Sequence, residues 1–126
     1  MCIRDSPSTR LSSINVKVWF GDSEGREHYE AQLLRGGDIE IGFHAEHRSA
    51  ELNDAVLGRL VEAESAWRSE LGSDAVAGEF LGSKGSPWRR LSEVTPAPHP
   101  FDVEAALYVA ERLADYVEVI EPLRTA

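Results

Sequence analysis

The residues best suited to chemistry stand together at His44-Ala45-Glu46-His47, closing an orderly alternation, DIEIGFHAEH, over residues 38–47. Along an extended strand, successive side chains point to opposite faces. Ile39, Ile41, Phe43 and Ala45 then share a core face, and Glu40, Gly42, His44 and Glu46 share the other. A histidine beside carboxylates can bind a divalent cation or relay protons. The spacing matches neither H-E-x-x-H nor H-x-x-E-H, which set two histidines one helical turn apart. A third ligand must come from elsewhere, and His47 faces the other way if the strand continues. By itself the sequence assigns no metal and no cofactor.

Aromatic and cationic residues extend this polar face. Trp19 falls on the side of the first strand away from the core. Trp88 opens a later strand with Arg90 on its own side, and an indole with a guanidinium can hold an anion or a planar ligand. Trp19, Glu40, His44, Glu46, Trp88 and Arg90 are therefore the ligand or interface candidates. Lys84, Arg89 and Arg90 concentrate positive charge beside a glycine-rich loop. That loop lacks the Gly-Lys-Ser/Thr order of a phosphate-binding loop and precedes no helix. No G-x-S-x-G elbow and no G-x-G-x-x-G fingerprint occur, so serine hydrolase and Rossmann-type dinucleotide chemistry have no support.

The elements that must position these residues follow from periodicity. Residues 14–20 alternate as a half-buried strand, with Ile14, Val16, Val18 and Phe20 on one side. Residues 29–35 form a second strand, with an amphipathic helix as the competing reading, and Gly36-Gly37 suit a tight hairpin leading into residues 38–47. Ser49 caps a helix over residues 50–71, whose stripe is Leu52, Val56, Leu57, Leu60, Val61, Ala63, Trp67 and Leu71. Residues 75–81 and 88–94 make two more strands around a flexible loop. The proline-rich run 95–100 is a stiff connector. Asp102 caps a last helix to about Glu121, with Val103, Ala106, Leu107, Ala110, Leu113, Val117 and Ile120 as its stripe, and Pro122 stops it. The order β-β-β-α-β-β-α implies an α+β two-layer sandwich. Its sheet is antiparallel or mixed, of about five strands, with two amphipathic helices on one face.

Composition sets the outer bounds. The chain has 126 residues, 42% hydrophobic and 28% charged, as expected of one soluble globular domain. Residues 1–6, MCIRDS, read as the translation of a transposon end from sequencing-library preparation. They stand outside the fold, leaving residues 7–126 as a single domain, truncated at its N-terminus on this reading. The one cysteine and the one methionine, Cys2 and Met1, belong to that scar. A disulfide framework or thiolate zinc site is thereby excluded from the remaining sequence, in keeping with a cytoplasmic location. No apolar run reaches the roughly 20 residues of a membrane span. The net charge of -9 argues against a general nucleic-acid binder.

Two functions from different classes follow. The first is a non-catalytic, small, acidic, bacterial-type interaction domain. Its open sheet face would hold a protein partner, a second copy of itself or a small ligand. The alternative is a small enzyme using His44 and Glu46 for acid–base or metal-assisted chemistry. The sequence favours the first.

Overall fold

The computed structural model describes residues 8–11, 15–21, 24–81 and 85–126. Residues 1–6, Ile14 and Lys84 lie outside the described residues. The strands are β1 (Ser8–Leu11), β2 (Asn15–Trp19), β3 (Glu27–Leu33), β4 (Asp38–Ala45), β5 (Val76–Glu79) and β6 (Arg89–Pro96). The helices are α1 (Ala50–Glu62), α2 (Glu64–Leu71) and α3 (Val103–Arg124). The strands form one sheet in the order β1-β2-β3-β4-β6-β5, and every neighbouring pair is antiparallel. This is the expected α+β sandwich. The sixth strand, β1, precedes the strands expected from the sequence and pairs along β2.

The core lies between the sheet and the helices. Tyr29, Ala31, Ile39, Ile41, Phe43 and Leu91 meet Leu57, Leu60, Trp67, Leu71, Leu113, Tyr116 and Ile120 there, all buried. At about 1.5–3 kcal/mol for each large apolar side chain buried, this layer contact fixes the helices more than intrinsic propensity does. The expected alternation holds over Asp38–Ala45, and the Tyr29–Arg35 region is strand as far as Leu33 and then turn, not helix.

Three expectations need correction. The helix over residues 50–71 breaks at Ala63, whose N–H bonds back to Leu60 O at 3.1 Å. The break lets the Trp67 ring enter the core, where its Nε1–H donates to the same Leu60 carbonyl at 2.7 Å. Leu52 and Val61 fall outside the buried stripe and are exposed.

The α3 stripe is rotated from the expected one. Ala105, Val109, Leu113, Tyr116 and Ile120 are buried, whereas Val103 and Leu107 are exposed. Polar anchors set that phase. Tyr116 OH and Arg112 Nη2 reach the buried Glu93 carboxylate at 2.9 and 2.7 Å. Tyr29 OH reaches Glu121 at 2.7 Å. The rotation leaves an apolar groove of about 440 Å³ between β2 and α3, lined by Val16, Val18, Ala110 and Val117 among others.

The prolines are better tolerated than their chemistry suggests. Pro96 ends β6 opposite Asp38, at the last rung of the ladder, where a missing donor costs least. Pro122 sits inside the last turn of α3 and does not stop it.

The hairpin between β3 and β4 matters most for the polar face. Gly36 and Gly37 both adopt positive φ, 101° and 96°. Leu34 N–H donates to Asp38 O at 2.7 Å, which closes a loop one residue longer than a two-residue turn. Leu33 therefore pairs with Ile39, and His28 with His44.

Candidate metal centre

The register just described gathers ionisable groups on the face away from the helices. His28 lies directly across from His44, Glu30 across from Gly42, and Gln32 across from Glu40. On the far side of β4, Ser92 lies across from Gly42 and Arg90 from His44. Beyond the end of β4 the pairing continues, with Glu46 N–H donating to Arg26 O at 2.6 Å. Two His-x-Glu triplets, residues 28–30 and 44–46, thus run antiparallel with their histidines side by side.

Four side-chain atoms converge from these triplets: His28 Nε2, Glu30 Oε1, His44 Nδ1 and Glu46 Oε2. All lie within 4.8 Å of one another. Each imidazole nitrogen meets both carboxylates. His28 Nε2 is 2.9 Å from Glu30 and 3.4 Å from Glu46, and His44 Nδ1 is 3.2 Å from Glu30 and 3.0 Å from Glu46. Donors around a tetrahedral transition metal, each about 2.0–2.1 Å from it, stand roughly 3.3–3.4 Å apart. The four nitrogen–oxygen contacts run from 2.9 to 3.4 Å, at or a little under that spacing, and the whole set of separations stays within 4.8 Å.

The outward nitrogens settle which way the rings present their lone pairs. His28 Nδ1 lies 2.5 Å from Gly25 O, a carbonyl that can only accept, so this nitrogen carries the proton. His44 Nε2 lies 2.9 Å from Glu40 Oε2. Glu40 itself accepts from Ser92 Oγ at 2.6 Å and Gln32 Nε2 at 2.6 Å, so it accepts from His44 as well. Were each ring to carry its outer proton alone, both would aim nitrogen lone pairs at carboxylate oxygens. Such an arrangement calls for a cation between them, either a proton on the ring or a metal. Metal-bound histidines typically donate their other N–H to a carboxylate or a backbone carbonyl, and this site shows one of each.

Electrostatics agree. Burial opposes a charged His44 ring, but hydrogen bonds to Glu30, Glu40 and Glu46 outweigh it and raise its pKa well above the ordinary histidine value. Burial likewise opposes ionisation of Glu30. Hydrogen bonds from His28, His44 and Asn15 overcome it and hold that carboxyl far below the usual range. Glu40 is lowered in the same way: burial opposes its ionisation, but His44, Ser92 and Gln32 outweigh it. The pocket is an anionic cage built to hold positive charge. Its ligand set of two nitrogens and two oxygens, without sulfur, suits divalent first-row transition metals over the all-oxygen sites of calcium and magnesium. Two carboxylates neutralise such an ion.

The sequence-predicted candidates divide. Glu40, His44 and Glu46 come together, with Glu40 holding His44 from behind. Trp88 reaches the site through Phe80, whose ring is 5.3 Å from the Trp88 ring and 4.9 Å from His44. Arg90 lies across from His44 and donates to Glu79 O, Ser92 O and Ser92 Oγ, away from the four-atom cluster. Trp19 covers the turn before β3, where a methyl group on Gly25 would sit 3.5 Å from its indole. His47 turns away and bonds Glu27 at 2.8 Å. Of the other half of the cluster, His28 precedes a strand drawn from Tyr29, and Glu30 lies within that strand but is not among the candidates. The repeated His-x-Glu triplet is the signal that points to them. The face is also not an open platform, since His28, Glu30, Glu40, His44 and Ser92 are all buried.

Comparison of this chain with protein-family models, with curated proteins and with solved structures finds no match.

Proposed function

We propose that this chain is a metal-binding domain, with His28, Glu30, His44 and Glu46 as ligands of a divalent first-row transition metal. The observation that carries the reading is the convergence of four donor atoms whose two imidazoles are both fixed from behind by acceptors. Expecting no metal from the sequence alone fails to reckon with His28 and Glu30. The metal-assisted alternative gains from this geometry. The docking-platform reading draws less support, because Glu40 and His44 have no exposed surface to offer a partner.

The test is direct. Chelator-treated protein is titrated with zinc, cobalt(II), manganese(II) and iron(II), followed by calorimetry and elemental analysis. One equivalent should bind, and the double variant H28A/H44A should bind none at the same concentrations. Metal at one hundred times Kd stabilises the native state by about 2.7 kcal/mol. For a chain of 126 residues the unfolding entropy is about 0.26 kcal/mol per kelvin, so Tm should rise by about 10 °C. Wild-type protein that takes up no ion, or a double variant that still does, refutes the assignment.

A further inference from the structure

The four ligands are not held alike. His28, Glu30 and His44 sit within strands and are buried, with side chains 0%, 4% and 0% exposed. Each is also fixed by a group outside the cluster: His28 by Gly25 O, His44 by Glu40, and Glu30 by Asn15 Nδ2 at 2.8 Å with Lys17 Nζ 3.9 Å away. Glu46 differs on every count. It lies beyond the last residue of β4 and its side chain is 13% exposed. Among the described residues its carboxylate meets only the two imidazoles. Its backbone is pinned by Arg26 O and, through the next residue, by Asn53, which bonds both His47 N and His47 O at 2.9 Å. The backbone is fixed there from outside the cluster, whereas among the described residues the carboxylate is held by the two imidazoles alone.

Resting on the metal-centre reading, we infer that Glu46 is an exchangeable ligand and that an exogenous carboxylate or related oxyanion takes its place on the metal. In the exchange the bond from the metal to Glu46 oxygen breaks, a bond to the incoming oxygen forms, and the freed Glu46 carboxylate turns to solvent. No electron or proton is transferred. The remaining two histidines and one carboxylate are a ligand set that leaves positions open for other groups. The incoming class follows from charge and from what is displaced. The vacated position would have held a carboxylate oxygen. A divalent ion balanced by Glu30 alone keeps one positive charge, with the Lys17 ammonium close by and Glu40 facing Arg90. An anionic oxygen donor is favoured there over a neutral or cationic one.

Cobalt(II) serves as the probe, with acetate and acetohydroxamate as the oxyanions, on the full chain. Glu46→Gln should still bind cobalt, with a Kd raised by less than the roughly 100-fold upper range for losing an outer partner of a metal ligand. Glu30→Gln should lose more than that. The visible spectrum of the cobalt-loaded Glu46→Gln protein should change saturably as either oxyanion is added, and glycine amide should leave it unchanged. A second variant, Glu46→Ser, repeats the measurement should the first fail to fold, with circular dichroism checking both. If the Glu46 variants lose cobalt as completely as Glu30→Gln, or hold it but ignore both oxyanions, the exchange is refuted while the metal centre stands. Wild-type protein that binds no cobalt overturns both.

Discussion

Gly42 sits between Glu40 and His44 on β4, and the most demanding test of the site's construction is to give it a side chain. A methyl group there would lie 2.5 Å from Leu91 O, 2.5 Å from Ser92 Cα and 2.6 Å from Ser92 Cβ. Ordinary contacts are about an ångström longer, and two of the obstructing atoms are backbone on β6, so no side-chain rotation relieves the clash. Strands β4 and β6 must separate. Overpacking of this kind costs about 1–3 kcal/mol. The φ of +157° at Gly42 is one that residues with a Cβ rarely adopt, and such strain costs about 1–3 kcal/mol more. Gly42→Ala is therefore expected to lose about 2–6 kcal/mol of unfolding free energy, measured by urea titration of the chelator-treated protein at unchanged m-value. The control is Gly58→Ala, mid-helix in α1, where a methyl group meets nothing within 4 Å. That change should stabilise by about 0.5–1 kcal/mol. Metal affinity should fall in the first variant, because Glu40 and His44 flank the displaced position, and stay unchanged in the second. If Gly42→Ala proves as stable as wild type, then the close β4–β6 approach and the geometry derived from it are wrong.

Two further outcomes follow from the same contacts. Glu40→Gln keeps the shape of the side chain but removes the charge that orients His44, so metal affinity should drop by roughly 10–100-fold with the fold intact; an unchanged isotherm would deny Glu40 that role. The pH dependence of stability should have opposite signs with and without metal. In the metal-free protein His44 has a raised pKa, so its contribution is complete below about pH 6.5 and is lost as pH climbs toward the folded value. Glu30 and Glu40 have lowered pKa values, and their contribution, present above about pH 4.5, is lost on acidification. Metal ligation requires unprotonated rings, so the stabilisation gained from metal should instead grow from pH 6 to 8. Urea titrations across that range, with and without zinc, give both limbs, and a metal-free protein whose stability is flat above pH 6.5 would contradict them.

Much of the architecture is legible in the residues. The alternation of Ile39, Ile41 and Phe43 against Glu40, Gly42 and His44 gives the central strand and its two faces, and the caps at Ser49 and Asp102 are where the helices begin. The centre is harder to see because it depends on one residue of register. A two-residue turn at Gly36-Gly37 would set Arg35 across from Asp38 and therefore Tyr29 across from His44. The longer loop sets His28 there instead. A shift of one rung exchanges the faces of a strand, and local sequence constrains turn length only weakly. Glu30 and Glu40 mislead for another reason. Charged residues on a strand face normally signal solvent, and these are buried because each has partners enough to replace water. In α3 the apolar residues alone suggest the wrong phase. Arg112, Tyr116 and Glu121 decide it through bonds to Glu93 and Tyr29 that no hydrophobic pattern records.

All four proposed ligands fall between residues 28 and 46, on the two arms of one hairpin and the residue just after it. Hairpins close within microseconds, and joining near neighbours in the chain costs little loop entropy. The ligand set can therefore assemble while β6 and α3 still await synthesis. A pairing one rung away, through a two-residue turn, would set Tyr29 across from His44 and part the donors, whereas the pairing of His28 with His44 brings them together. A cation captured by the nascent chain would select that pairing before the core exists to enforce it. On the metal-centre proposal, the ion would act first as a proofreader of strand register and only later as the resident of a finished site.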